Sequence, residues 1–161
     1  MILLEVNKIR IFRGESMEDT KAAIIKLKMY NQTKEEIAMK ESKLALLDES
    51  HIKTSSVSDD TIGGVRKDIH DRYAEILEKK DILKLELIEL KLEAATIDTA
   101  LALMGKGDKI MCEALEVIKL RHICDKNLTE LEHELNMSES TIRRRLNKGE
   151  KEFARLLELA V

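Results

Sequence analysis

The sequence predicts an all-α protein: a long antiparallel helical hairpin or coiled coil, followed by a small helix-turn-helix domain. Three observations predict it. First, the chain has 161 residues, no proline, no tryptophan, two phenylalanines and two tyrosines, and charged residues, Leu, Ile and Ala dominate. That is the composition of long helices, not of a sheet over a broad core. Second, Ile62, Ile69, Ile76, Leu83, Leu90, Ile97 and Met104 recur at heptad spacing without a miss. Third, two short amphipathic segments near the carboxyl end flank the turn Asn136-Met137-Ser138, and the second carries three consecutive arginines.

The expected organisation has three parts: an extension over 1–16, a helical hairpin or coiled-coil oligomerisation region over 17–104 with a loop at 48–64, and a DNA-binding helix-turn-helix domain over 108–161. In the first part, Arg13-Gly14-Glu15 can be encoded by a purine-rich stretch of the kind that bacterial ribosomes bind, and Met17 follows closely. Residues 1–16 are therefore read as a non-native upstream extension. The alternative, an ordinary strand or helix turn from Ile2 to Phe12, stays open.

From Ser16 a helix is expected. Ser16 can cap it, with Asp19 at the capping-box position, and Glu18 and Asp19 suit the positive end of the helix dipole. Ala23, Leu27, Tyr30, Ile37, Leu44 and Leu47 form its apolar seam, interrupted by Lys34 and Glu41, and predict an end near Leu47. Residues 48–64, with their serines, aspartates and paired glycines, read as a loop.

The heptad seam follows, and Ile69, Ile76, Leu83, Leu90 and Ile97 are its core as dimer or hairpin contacts. Tyr73, Leu87, Ala94 and Leu101 stand four residues after several of them, giving the four–three alternation of a coiled coil. Lys80 falls on the seam and must snorkel or select a register. Ile82, Leu85, Ile88 and Leu92 form a second apolar line on another face. Two stripes on one helix imply two neighbours: the 17–47 helix folded back, and a second copy of the chain. Gly105 and Gly107 then break the helix, and Asp108 can cap a helix over 109–124 with Ile110, Ala114, Leu115, Ile118 and Ile123 inward.

The tail is the part that speaks to function. Asn127 with Glu130 forms a capping box, and Leu128, Leu131 and Leu135 share one helix face. Asn136 suits a left-handed C-cap, Met137 can plug the corner, and Ser138 caps the next helix. With Ile142 and Leu146 turned to the core, Ser140, Arg144, Asn147 and Lys148 lie opposite, Thr141 lies beside them, and Arg143 and Arg145 flank that face. Arg, Asn, Ser and Thr side chains can read base edges. The flanking arginines, with Lys148 or Lys151, suit phosphates. Residues 139–151 carry five cations against Glu139 and Glu150, a local +3 in a chain whose net charge is −3. A net acidic chain can bind DNA when its positive charge is concentrated where the duplex docks. The competing reading is a solvated helix face that happens to hold three arginines.

Over 109–157 the sequence resembles the fourth region of bacterial sigma factors. In its whole layout it resembles phage late-gene transcriptional regulators of the RinA and ArpU type. The matching residues are ALEVIKLRHI (114–123), NLTELEHEL (127–135) and MSESTIRRRLNKGEKEF (137–153). Glu132 stands where such motifs usually hold a small residue, and Asn136 where they usually hold glycine. The resemblance implies a sequence-specific activator of a phage late operon in the cytoplasm of a bacterial host, with double-stranded DNA and a second copy of the chain as partners and RNA polymerase as a further candidate. Two other functions fit parts of the pattern: the small subunit of a phage packaging terminase, which would form rings, and a coiled-coil adaptor that never touches DNA.

Other classes lack their marks. There is no phosphate-cradling glycine loop or nucleophile motif, so the chain is not read as an enzyme and no cofactor is expected. Cys112 and Cys124, near His122 and His133, match no zinc spacing and are expected as reduced thiols of a cytoplasmic protein. His51 and His70 are read as exposed. No segment is long and apolar enough to span a membrane, and Met1 to Leu4 is too short for a signal sequence.

Overall fold

The computed structural model describes residues 17–55 and 65–160, and the side chains of 17–50 and 69–160. The readings of 1–16, of the Ser16 cap and of the His51 side chain lie outside these residues. The described residues form an all-α structure with no strand. Its helices are α1 (Met17–Ser55), α2 (Val65–Gly105), α3 (Lys109–Ile118), α4 (Leu128–Leu135) and α5 (Glu139–Ala160), with a π-helical turn, Lys119–Ile123, continuing α3.

Two expected boundaries move. α1 runs on past Leu47 to Ser55, so residues 48–55 of the expected loop are helical, and what remains of that loop, 56–64, lies outside the described residues. Asp48 to Ser55 contains neither glycine nor proline, so the serines and aspartate cost only tenths of a kcal/mol each, too little to stop a propagating helix. The helix expected over 109–124 is α-helical only to Ile118. After that the Cys124 N–H bonds the Lys119 carbonyl at 3.1 Å, a five-residue step that widens the turn.

The chain divides into two compact units, one comprising Met1–Asn31 with Ala95–Val161, the other Gln32–Ala94. In the second, Lys40–Glu86, Glu41–Lys91 and Asp48–Lys80 pair at 2.6, 2.6 and 2.8 Å. The order reverses along the two helices, so α1 and α2 run antiparallel there. Leu87 and Ala94 are buried, and Ile76, Leu83 and Leu90 are half-buried. Lys80 is buried on the seam, and its ammonium is satisfied by Asp48.

Ile69 departs from the seam expected of it: it is 49 % exposed. In the register set by Asp48–Lys80, the level of Ile69 falls beyond Ser55, outside the described residues. The second apolar line is also exposed, at 49 % for Ile82, 64 % for Leu85, 62 % for Ile88 and 68 % for Leu92.

The first unit holds the main core. Ala23, Leu27 and Tyr30 of α1 meet Ile97, Ala100, Leu101 and Met104 of α2, Ile118 of α3, and Phe153, Ala154, Leu156 and Leu157 of α5. Tyr30 donates a hydrogen bond to Asp98 across the helix pair. Phe153, Leu27, Ile97 and Met104 are sealed from solvent, each worth about 1.5–3 kcal/mol of burial. The carboxyl half of α5 is thus anchored in this core, which fixes the direction of its amino half.

Candidate nucleic-acid interface

The amino half of α5 is held from below by a second, smaller cluster. Val117, Leu131 and Ile142 are buried together, and Leu120, Leu128, Leu135, Met137 and Leu146 pack on them. Met137 thus plugs the corner between α4 and α5. Ile110, expected inward, is 39 % exposed, and the unexpected Val117 takes the buried place on α3.

The local chemistry sets the turn. The Asn127 side chain accepts from the Glu130 N–H at 2.9 Å, and the Glu130 carboxylate accepts from the Asn127 N–H at 2.7 Å, closing the capping box. Asn136 sits at φ 50, ψ 44, a left-handed conformation that asparagine tolerates better than most residues. Ser138 Oγ lies 3.0 Å from the Thr141 hydroxyl and 3.2 Å from that of Ser140. The Asp108 carboxylate caps α3, accepting from the Met111 N–H at 2.8 Å.

What braces α5 against α3 is closer than sequence reasoning anticipated. Gly149 is buried, and a Cβ there would stand 2.7 Å from Ile118 Cγ2 and 2.9 Å from the Ala114 carbonyl oxygen. This is a close helix crossing that only glycine permits. A glycine inside a helical pattern was the available signal. Glu132, where a small residue is usual, is half-buried and makes no ion pair with a described residue.

Two polar links complete the brace. His122, buried in the π-helical turn, places Nε2 2.7 Å from Glu150 Oε1. With Glu150 ionised, Nε2 carries the hydrogen and donates it. His122 Nδ1 is buried and has no hydrogen-bond partner among the described residues. Asn31 of α1 donates to the Ile123 carbonyl at 3.0 Å, holding the end of the same turn. Arg121 closes the turn on its far side by donating to the Lys126 carbonyl at 2.7 Å.

The eight expected contact residues separate by environment. Ser140, Arg143, Arg144, Asn147, Lys148 and Lys151 are exposed. Thr141 is half-buried, with its hydroxyl engaged by Ser138. Arg145 is turned away from the expected face: its Nε donates to Glu113 of α3 at 2.8 Å, with both side chains about one-fifth exposed. Its place on the helix, toward α3, brings that carboxylate within reach. Arg143 is bridged at 2.6 Å to Glu139 one turn earlier, and Arg155 to Glu152 at 2.6 Å. The Arg155 guanidinium, hydrogen-bonded to Glu152, holds that carboxyl below the ordinary glutamate range.

Arg144, Lys148 and Lys151 are different: none has an ion pair with a described residue. They stand four and three residues apart, so they form one stripe, with Ser140 and Asn147 together along one edge of it. Cys112 and Cys124 are free and exposed. Among the described residues no group of His, Cys, Asp and Glu could hold a metal ion, and no helix is long and apolar enough to cross a membrane.

No protein-family model, no curated protein and no solved structure matches this chain.

Proposed function

We propose that the chain is a sequence-specific DNA-binding transcriptional regulator, not an enzyme, that lays residues 139–151 of α5 in the major groove. The observation that carries this reading is the exposed stripe Arg144–Lys148–Lys151, none of which has an ion pair with a described residue. Like charges one turn apart cost a helix a few tenths of a kcal/mol per pair, and the neighbouring arginines all have carboxylate partners. A duplex supplies the missing counter-charge as phosphates, while Arg144, Asn147 and Ser140 offer the donors and acceptors that read base edges.

Within that reading the roles divide. Arg144, Asn147 and Ser140 face the bases; Lys148 and Lys151 meet phosphates, with Arg143 joining them once Glu139 releases it. Arg145 serves the fold. Paired reading helices need paired half-sites, so the regulator acts as a homodimer. Activation of a phage late operon in the bacterial cytoplasm, through contact with RNA polymerase, rests only on the resemblance of the chain's whole layout to phage late-gene regulators.

Selecting bound duplexes from a random pool, then titrating the winner by fluorescence anisotropy at several salt concentrations, tests the proposal. Wild-type protein should select a defined site, and its log affinity should fall linearly with log salt. Arg144→Ala with Lys148→Ala should weaken specific binding and reduce the steepness of that line by about one, since the lost Lys148 phosphate contact removes about 0.9. Binding unaffected by the double substitution removes this face from consideration; no selectable site removes the function.

A further inference from the structure

The three consecutive arginines of α5 differ in what holds them. Glu139 engages Arg143 through Nε at 2.7 Å and through Nη2 at 2.6 Å, and Glu113 draws Arg145 toward α3. Arg144 is exposed between them and makes no hydrogen bond or ion pair with a described residue. It also stands at the crest of the helix. Ile142 and Leu146 are each two residues away, about 200° round the helix in either direction, and both belong to the apolar cluster beneath. Arg144 therefore points straight away from that cluster, and its long side chain reaches farthest from it. Asn147, exposed and likewise without such a partner, lies about 60° from the crest, on the edge that Ser140 shares.

Resting on the DNA-binding reading above, we infer that the site contains two adjacent base pairs, a G·C pair read by Arg144 and an A·T pair read by Asn147. The chemistry of each side chain names its base. A guanidinium donates two parallel N–H bonds, which O6 and N7 of guanine accept together. A carboxamide donates to N7 of adenine and accepts from its N6 amino group. Each base pair shows a different pattern of donors and acceptors in the major groove, so these two matches discriminate. The spacing names their order. Three residues of helix rise about 4.5 Å, little more than the base-pair rise of about 3.4 Å. Side chains about one turn apart on a helix in the groove meet successive bases. Ser140, four residues before Arg144, falls on the other side of the G·C pair. Its hydroxyl both donates and accepts, so it adds contact with little preference.

Selection from a random pool gives the wild-type site, and fluorescence anisotropy on that site and on its single-base-pair changes reads the preference at each position. The wild type should show a G·C pair beside an A·T pair, replacement of either weakening binding about 5- to 100-fold. Arg144→Gln should lose the preference at the G·C pair alone and turn it toward A·T, because glutamine also makes the paired contact to adenine. Asn147→Ala should lose the preference at the A·T pair alone. Both substitutions are at exposed positions and should leave helicity intact by circular dichroism. Variants that weaken every duplex equally, preferences lost at pairs that are not neighbours, or a preference lost at a pair of other composition overturns the assignment while leaving a DNA-binding protein. A wild type that selects no site overturns the function itself, and this assignment with it.

Discussion

Gly149 of α5 lies so close to Ala114 of α3 that a single added carbon would meet the Ala114 carbonyl oxygen at 2.9 Å. The contact is with backbone, which cannot rotate away as a side chain can. Alanine gains about 1 kcal/mol in helix propensity over glycine, and overpacking a tight contact costs about 1–3 kcal/mol. Since Ile118 Cγ2 would be struck as well, the clash wins. Gly149→Ala should lower stability by about 1–2 kcal/mol in urea unfolding; a more stable variant would mean that the two helices do not cross at this point.

At Asn136 the backbone, not a neighbour, sets the limit. Its left-handed backbone suits glycine better than any side chain. Asn136→Gly should change stability by less than about 0.5 kcal/mol, whereas Asn136→Ala should cost about 1 kcal/mol or more. Thermal melts of the two variants rank them, and equal values would place the turn in another conformation.

The two adjacent arginines should part company. Arg145→Ala strips Glu113 of its half-buried partner and should cost about 1–3 kcal/mol of stability, with a modest effect on the salt slope of DNA binding. Arg144→Ala should leave the unfolding midpoint almost unchanged and weaken specific binding by about 1–3 kcal/mol. A reversal of these effects would exchange their roles.

Replacing Glu150 separates charge from hydrogen bond. Glu150→Gln keeps an acceptor for His122 Nε2 and should cost less than about 1 kcal/mol. Glu150→Ala leaves His122 buried with neither ring nitrogen satisfied and should cost about 1–3 kcal/mol. Denaturant titration of both reads the difference; equal losses would show that the hydrogen bond contributes nothing.

The Glu152–Arg155 pair predicts an acid sensitivity. Glu152 is held below its ordinary pKa in the fold, so the unfolded chain takes up its proton first. Its stabilisation is complete above the unfolded pKa and fades as pH falls through the folded value. Comparing melts at pH 7 and pH 3, wild type should lose slightly more than Glu152→Gln, by well under 1 kcal/mol because the pair is partly exposed. Equal losses would deny the pair any share in acid sensitivity.

Much of the architecture was legible because it depends on local chemistry. The caps at Asp108, Asn127 and Asn136 need only a few neighbouring residues, and each is found where its residue type allows. The heptad line was legible over most of its length: Ile97 and Met104 are buried, while Ile69 is not. The stripe Arg144–Lys148–Lys151 could be placed from helical spacing alone. That Arg145 would leave the face could not, because its carboxylate comes from α3, far away in the chain. The π-helical turn escaped for a related reason: it is stabilised by His122 reaching Glu150 and by Asn31 capping Ile123, contacts that exist only once α1 and α5 are in place.

The ion pairs between α1 and α2 also settle a degeneracy that the heptads create. A pattern repeating every seven residues packs almost as well after sliding by one repeat. Sliding either way takes Lys40 from Glu86. In one direction Lys91 then arrives beside Lys34; in the other Lys40 and Lys91 regain Glu93 and Asp48, but the buried Lys80 is left facing Ser55 in place of Asp48. Leucines make the two helices stick, but these unevenly spaced charges act as the teeth of a key, admitting one alignment and refusing its neighbours.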